Sequence, residues 1–106
     1  RFKETSLNDK TLEFLDLSID KDKHKVVFNK QELFLPRKEF ELLYLLASKP
    51  GKVFKRNNIM ENVWGNEVIV GDRTIDVHIR KLREKLGDHF LKTVKGVGYK
   101  FIEPEN

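Results

Sequence analysis

Arg73-Thr74-Ile75-Asp76-Val77-His78-Ile79-Arg80-Lys81-Leu82-Arg83-Glu84-Lys85-Leu86, then Thr93-Val94-Lys95-Gly96-Val97-Gly98-Tyr99-Lys100-Phe101, is the stretch that decides the reading of this 106-residue chain. At about 100° per residue, Ile75, Ile79, Leu82 and Leu86 fall within about 60° of one another and make a narrow apolar seam. Arg73, Val77, Arg80, Lys81 and Glu84 gather on the opposite side, with Asp76 and Arg83 on one flank. Gly87 suits the C-cap of such a helix. A helix buried along so thin a stripe leaves most of its surface to solvent or to a partner. The following segment has two β-rich arms around Lys95-Gly96-Val97-Gly98, whose glycines are expected to supply the positive φ angles of a tight hairpin.

Working towards the N-terminus, 65–72 holds two glycines and no helical period, so it reads as a loop. Arg56 to Trp64 places Ile59, Met60, Val63 and Trp64 on one stripe, an amphipathic helix. Arg37 to Lys49 is apolar around most of its circumference, which puts that helix in the middle of a core, and Pro50-Gly51 stops it. Between Leu12 and Leu35 short apolar runs alternate with turn chemistry, the pattern of three or four small antiparallel strands. Residues 1–11 are polar and aperiodic and read as a linker remnant, 12–102 as one domain, and 103–106 as a tail. The chain begins at Arg1 rather than Met, which is expected of a segment of a longer protein. The class is α+β: an N-terminal antiparallel sheet, three helices and a C-terminal hairpin.

The charge is unevenly spread. Net charge is +4, and residues 1–50 are nearly balanced, with 10 Lys/Arg against 9 Asp/Glu. Residues 73–100 carry 8 Lys/Arg against 3 Asp/Glu. Such a concentration fits a polyanionic partner, although on charge alone a solvated basic face fits equally well. There is no cysteine, hence no disulfide, thiolate metal site or cysteine nucleophile. His24, His78 and His89 lack metal-ligand spacing, no serine stands in a nucleophile context, and Gly96-Val97-Gly98 lacks the strand-before, helix-after setting of a nucleotide fingerprint. No enzyme, cofactor or metal is expected. No apolar run reaches membrane-spanning length, and a cytoplasmic location is compatible with the composition.

An α-helix fits the DNA major groove, where Arg and Lys donate to guanine O6 and N7 and an outward valine meets a thymine methyl. Lys95 and Lys100 flank the glycine turn, a shape suited to a minor groove. A surface helix decorated for solubility, with Asp76 and Arg80 paired at i, i+4, is the plainer alternative.

Beyond these local readings, Leu35-Pro36-Arg37-Lys38-Glu39-Phe40-Glu41-Leu42-Leu43, Pro50-Gly51-Lys52-Val53, Arg56, Val63-Trp64-Gly65 and the two stretches quoted first resemble the successive signatures of OmpR/PhoB-type response-regulator effector domains. The likeness runs from about Leu12 to Ile102, in the family's order and spacing. It implies a winged helix-turn-helix that binds double-stranded DNA and regulates transcription. By position, the resemblance assigns base contacts to Asp76, Val77, Lys81 and Arg83. Backbone contacts fall to Arg73, Thr74, His78 and Arg80, with Trp64 as a further one, and Lys100 takes the place of the wing residue at the minor groove. The loop opened by Trp64, with Glu67, Val68 and Ile69, matches the part that touches RNA polymerase in similar proteins. Tandem pairing on direct-repeat sites, and a receiver domain elsewhere in the full protein, are implied as partners.

The likeness has gaps. Pro36 and Lys55 stand where the family often has hydroxyl N-caps, so phosphate contacts through those caps are not expected. Lys81 and Lys100 replace frequent arginines, and a lysine is a point charge rather than a planar fork. The rival function is a protein-interaction module acting through the 64–72 loop, with only non-specific DNA affinity.

Overall fold

The computed structural model describes residues 11–65 and 72–103. The alternation between Leu12 and Leu35 becomes four short strands: β1 (Thr11–Glu13), β2 (Leu17–Asp20), β3 (Lys25–Phe28) and β4 (Gln31–Leu33). They form an antiparallel sheet in the order 1-2-3-4. Thr11, counted above with the polar leader, is the first residue of that sheet. Leu17 and Ile19 of β2 and Val26 of β3 point inward and are almost fully buried, as the two-residue period requires. Asn29 and Lys30, both at positive φ, turn β3 into β4.

Helix α1 (Arg37–Ala47) follows directly and buries Glu39, Phe40, Leu42, Leu43, Leu46 and Ala47. It stops two residues short of Lys49, and the Ser48 hydroxyl donates back to the Leu45 carbonyl. The chain then makes a strand that the sequence reading lacked. β5 (Val53–Lys55) pairs antiparallel with β7 (Gly98–Phe101), which in turn pairs with β6 (Leu91–Val94), giving a three-stranded sheet in the order 5-7-6. The C-terminal hairpin is therefore pinned along one edge to the segment between α1 and α2.

Gly98 makes that pinning possible. A Cβ there would sit 1.9 Å from the Phe54 carbonyl oxygen, so any side chain would force β5 and β7 apart. The expectation that both hairpin glycines supply positive φ is corrected here. Gly96 does so, at φ 78, whereas Gly98 is needed for close backbone approach.

Helix α2 (Arg56–Ile59) runs into a π-helical segment (Met60–Trp64), whose wider turn is closed by the Gly65 N–H donating to the Met60 carbonyl five residues back. The turn carries Val63 and Trp64 into the core. Helix α3 (Asp72–Leu86) matches the predicted seam. Ile75, Ile79, Leu82 and Leu86 are all buried, each worth about 2 kcal/mol over exposure. Gly87, at φ 92, closes it with its N–H on the Arg83 carbonyl.

Candidate nucleic-acid interface

The seam fixes which way α3 faces. Its last turn is fastened to α1 by an ion pair: Lys85 Nζ lies 3.1 Å from Oε1 of Glu39, a carboxylate only 3% exposed. Glu39 stands in the first turn of α1 and Lys85 in the last turn of α3, so each charge also suits the dipole of its own helix. With seam and pair turned inward, Val77, Arg80, Lys81 and Glu84 are exposed on the outer side. Val77 is 38% exposed, a large fraction for a valine on a helix with so well buried a seam. The i, i+4 pairing of Asp76 with Arg80 does not form, because Asp76 is engaged elsewhere.

One flank of α3 is tied to the wing sheet at two points about two turns apart. At the first, the Asp76 carboxylate accepts a hydrogen bond from the Tyr99 hydroxyl of β7 and pairs with Arg56 Nη1 at 3.0 Å. The Arg56 guanidinium lies over the Tyr99 ring, 5.3 Å from its centroid. Burial, and then the hydrogen bond to the Asp76 carboxylate, push the Tyr99 phenol above its ordinary pKa. At the second, Arg83 Nε and Nη2 donate to the Leu91 carbonyl at 3.2 and 3.0 Å, and Nη2 also donates to Thr93 Oγ1 at 2.9 Å. Helix and hairpin thus form one unit, tied at both ends of α3. Arg56, Tyr99, Leu91 and Thr93 had no assigned part in this from sequence, since each partner lies in a different element.

The wing lysines separate. Register places Lys92, Lys100 and Val53 side by side on one face of the three-stranded sheet. Tyr99 and Thr93 point to the other face, towards α3. Lys100 is therefore turned away from the helix and half-buried, while Lys95 and Val97 stand exposed at the hairpin tip. A shallow trough lined by Lys55, Arg56, Asn57, Gly96 and Val97 separates the start of α2 from that tip. Neither Pro36 nor Lys55 makes a side-chain cap, in keeping with the expectation from their chemistry.

His78 and Thr74 are half-buried at the rim of the outer side. The Thr74 carbonyl only accepts, so the His78 Nδ1 bonded to it at 2.7 Å carries the proton. Trp64 does not sit where the resemblance put it. It is 7% exposed, belongs to the core and packs edge-on against the His78 ring, which leaves it little surface for a phosphate. Arg73 lies in the first turn of α3. Glu67, Val68 and Ile69 lie outside the described residues. Among the described residues no group of acids and histidines could hold a metal, and no helix is long and apolar enough to cross a membrane.

A buried-seam helix with an exposed basic side, tied to a hairpin beside it, defines the winged-helix class. The family described as "Transcriptional regulatory protein, C terminal" matches residues 30–101, and the chain belongs to it: it is the DNA-binding domain of an OmpR/PhoB-type response regulator, a family of regulators rather than enzymes. The chain is 46% identical over 101 residues to the transcriptional regulatory protein SrrA of Staphylococcus aureus, covering 90% of this chain and 42% of that protein. It therefore spans about two fifths of the length of such curated relatives. Among solved structures, the Klebsiella pneumoniae RstA DNA-binding domain in complex with the RstA box is 33% identical with a TM-score of 0.79, covering 88% of this chain and 97% of that one. The DNA-binding domain of CpxR from E. coli is 37% identical with a TM-score of 0.78, covering 88% and 96%.

Proposed function

We propose that this domain binds double-stranded DNA sequence-specifically, with the outer side of α3 in the major groove and the hairpin tip at the adjoining minor groove, and so regulates transcription in the cytoplasm. The observation that carries the reading is the outer side of α3. Exposed Val77, Arg80 and Lys81 stand there on a helix held rigidly by its seam and by the Glu39–Lys85 pair. A rigid element with the groove-filling side chains outward is what direct readout needs. The similar RstA domain was crystallised on its DNA box, which supports the same use here.

Val77 and Lys81 are the base contacts of this reading, Val77 to a thymine methyl and Lys81 to a guanine acceptor. Arg73, Thr74, His78 and Arg80 approach phosphates. Trp64 drops out of the set, and of the two wing lysines expected at the minor groove Lys95 is kept and Lys100 is not. Tandem pairing on direct repeats, RNA polymerase contact through Glu67, Val68 and Ile69, and control by a receiver domain in the full protein belong to the same proposal and rest on family membership.

The test is selection of bound duplexes from a randomised pool, with the winner re-measured by fluorescence anisotropy across a salt series. A direct repeat with half-sites about one helical turn apart, bound far more tightly than random DNA, is expected. The salt slope should be near −0.9 per phosphate contacted. Salt-sensitive binding with no preferred sequence would overturn the readout and favour a protein partner.

A further inference from the structure

The resemblance places Arg83 and Asp76 among the base readers, but both side chains are already in use. Arg83 matters most, because its donors can be counted. A guanidinium has five N–H groups and presents two edges able to grip a base with paired donors, one of Nε with Nη2 and one of Nη1 with Nη2. Here the Nε/Nη2 edge is spent on the Leu91 carbonyl, and the remaining Nη2 hydrogen is spent on Thr93 Oγ1. Only Nη1 is left, and Nη1 alone cannot make the two-point contact to guanine O6 and N7.

Among the described residues the Leu91 carbonyl has no other partner to return to. Ladder bonds of β6 alternate, and the Ile102 N–H donates to the Phe90 carbonyl, so Leu91 points its carbonyl to the open edge, away from β7. Arg83 fills that edge from the flank of α3. Asp76 does the corresponding job two turns earlier on the same flank, towards Arg56 and Tyr99.

We propose that Arg83, with Asp76 two turns earlier on the same flank, is a positioning residue that sets the angle between α3 and the wing, so that of the four expected base readers only Val77 and Lys81 read sequence. This rests on the DNA-binding reading above. It predicts a modest code: one methyl contact and one point donor, with affinity coming mainly from phosphates held in register by the two ties.

The test repeats the duplex selection with Arg83→Ala and Arg83→Lys, alongside the unaltered chain. Affinity for the preferred site should fall about tenfold for Arg83→Ala, while the preferred base at every position stays the same. Arg83→Lys should restore little, since one ammonium cannot span both acceptors. Once Arg83 is absent, adding Thr93→Val should make no further difference, although Thr93→Val alone weakens binding. The Arg83 Nε–H should also stay protected from solvent exchange by NMR in both free and DNA-bound chain, a readout that does not depend on how well each variant folds. Loss of preference at a single base pair in Arg83→Ala, or loss of Nε–H protection on binding, would overturn the proposal and leave Arg83 a base reader. If the unaltered chain selects no sequence at all, the DNA reading itself is what fails.

Discussion

Helices α1 and α3 pack against each other, yet they are held by opposite means. α1 is sunk in apolar contacts along most of its length, and its one buried charge, Glu39, is satisfied by the neighbouring helix. α3 gives up only a four-residue seam to the core and is steadied along one flank by polar ties to the wing sheet. A helix fixed by burial has no surface left to offer. One fixed by a seam and two polar ties keeps a rigid outer side free for a partner, which is the requirement for reading a groove without first ordering the reader.

The sharpest way to break this contrast is to remove core volume from α1. Leu42 is fully buried, and Leu42→Ala should cost about 3 kcal/mol in urea unfolding. A loss below about 1 kcal/mol would mean that α1 is not the element around which the domain is built. The next largest effect should come from the link between the two helices. Lys85→Met strands the Glu39 carboxylate and should cost about 2 kcal/mol, less than for a fully enclosed pair because Lys85 is 35% exposed. Adding Glu39→Leu should recover most of that loss, since replacing both partners removes the stranded charge. No recovery in the double variant would show that packing around position 85, rather than the pair, holds the helices together.

A smaller effect is expected on the wing side of α3. Tyr99→Phe deletes the hydroxyl shared with Asp76 and Arg56 and should cost about 1 kcal/mol near neutral pH. The pH dependence follows from the raised phenol pKa. The folded chain holds the Tyr99 proton more tightly than the unfolded chain does. This contribution is complete below the unfolded value of about 10 and is lost as pH rises through the folded one. The difference in thermal midpoint between the unaltered chain and Tyr99→Phe should therefore be constant from about pH 7 to 9 and shrink above about pH 10. A difference that stays flat through that range would disconnect the tie from the titration.

What the sequence revealed, and what it hid, divides along the same line. The seam of α3, the apolar girth of α1 and the strand–turn alternation before it are short-range patterns, and each emerges where periodicity puts it. β5 stayed hidden because Val53, Phe54 and Lys55 are too few to show a period and their partner strand lies more than forty residues on. The ties were hidden for the same reason. Nothing near Arg83 announces Leu91 and Thr93 as its acceptors, and a basic residue on a basic helix reads by default as a contact for DNA. Trp64 was misplaced because resemblance records which residue recurs, not which way the π-widened turn of α2 points it. Local chemistry was legible, whereas the long-range polar contacts that separate a reader from a fastener were not.

The smallest expected effect bears most directly on that distinction. Val77 is exposed and lies outside the buried seam, so Val77→Ala should change stability by no more than about 0.5 kcal/mol. If the outer side of α3 reads DNA, the same change should weaken binding to the selected site by several fold, about 1 kcal/mol for the lost methyl contact. The cause can be located in the DNA. Replacing thymine by uracil at the matching position removes the C5 methyl and should weaken the unaltered chain by the same factor, while leaving Val77→Ala indifferent. Independent losses from the two changes would mean that valine and methyl never meet, and the exposed valine would then be a surface residue like any other, with α3 gripping the backbone alone.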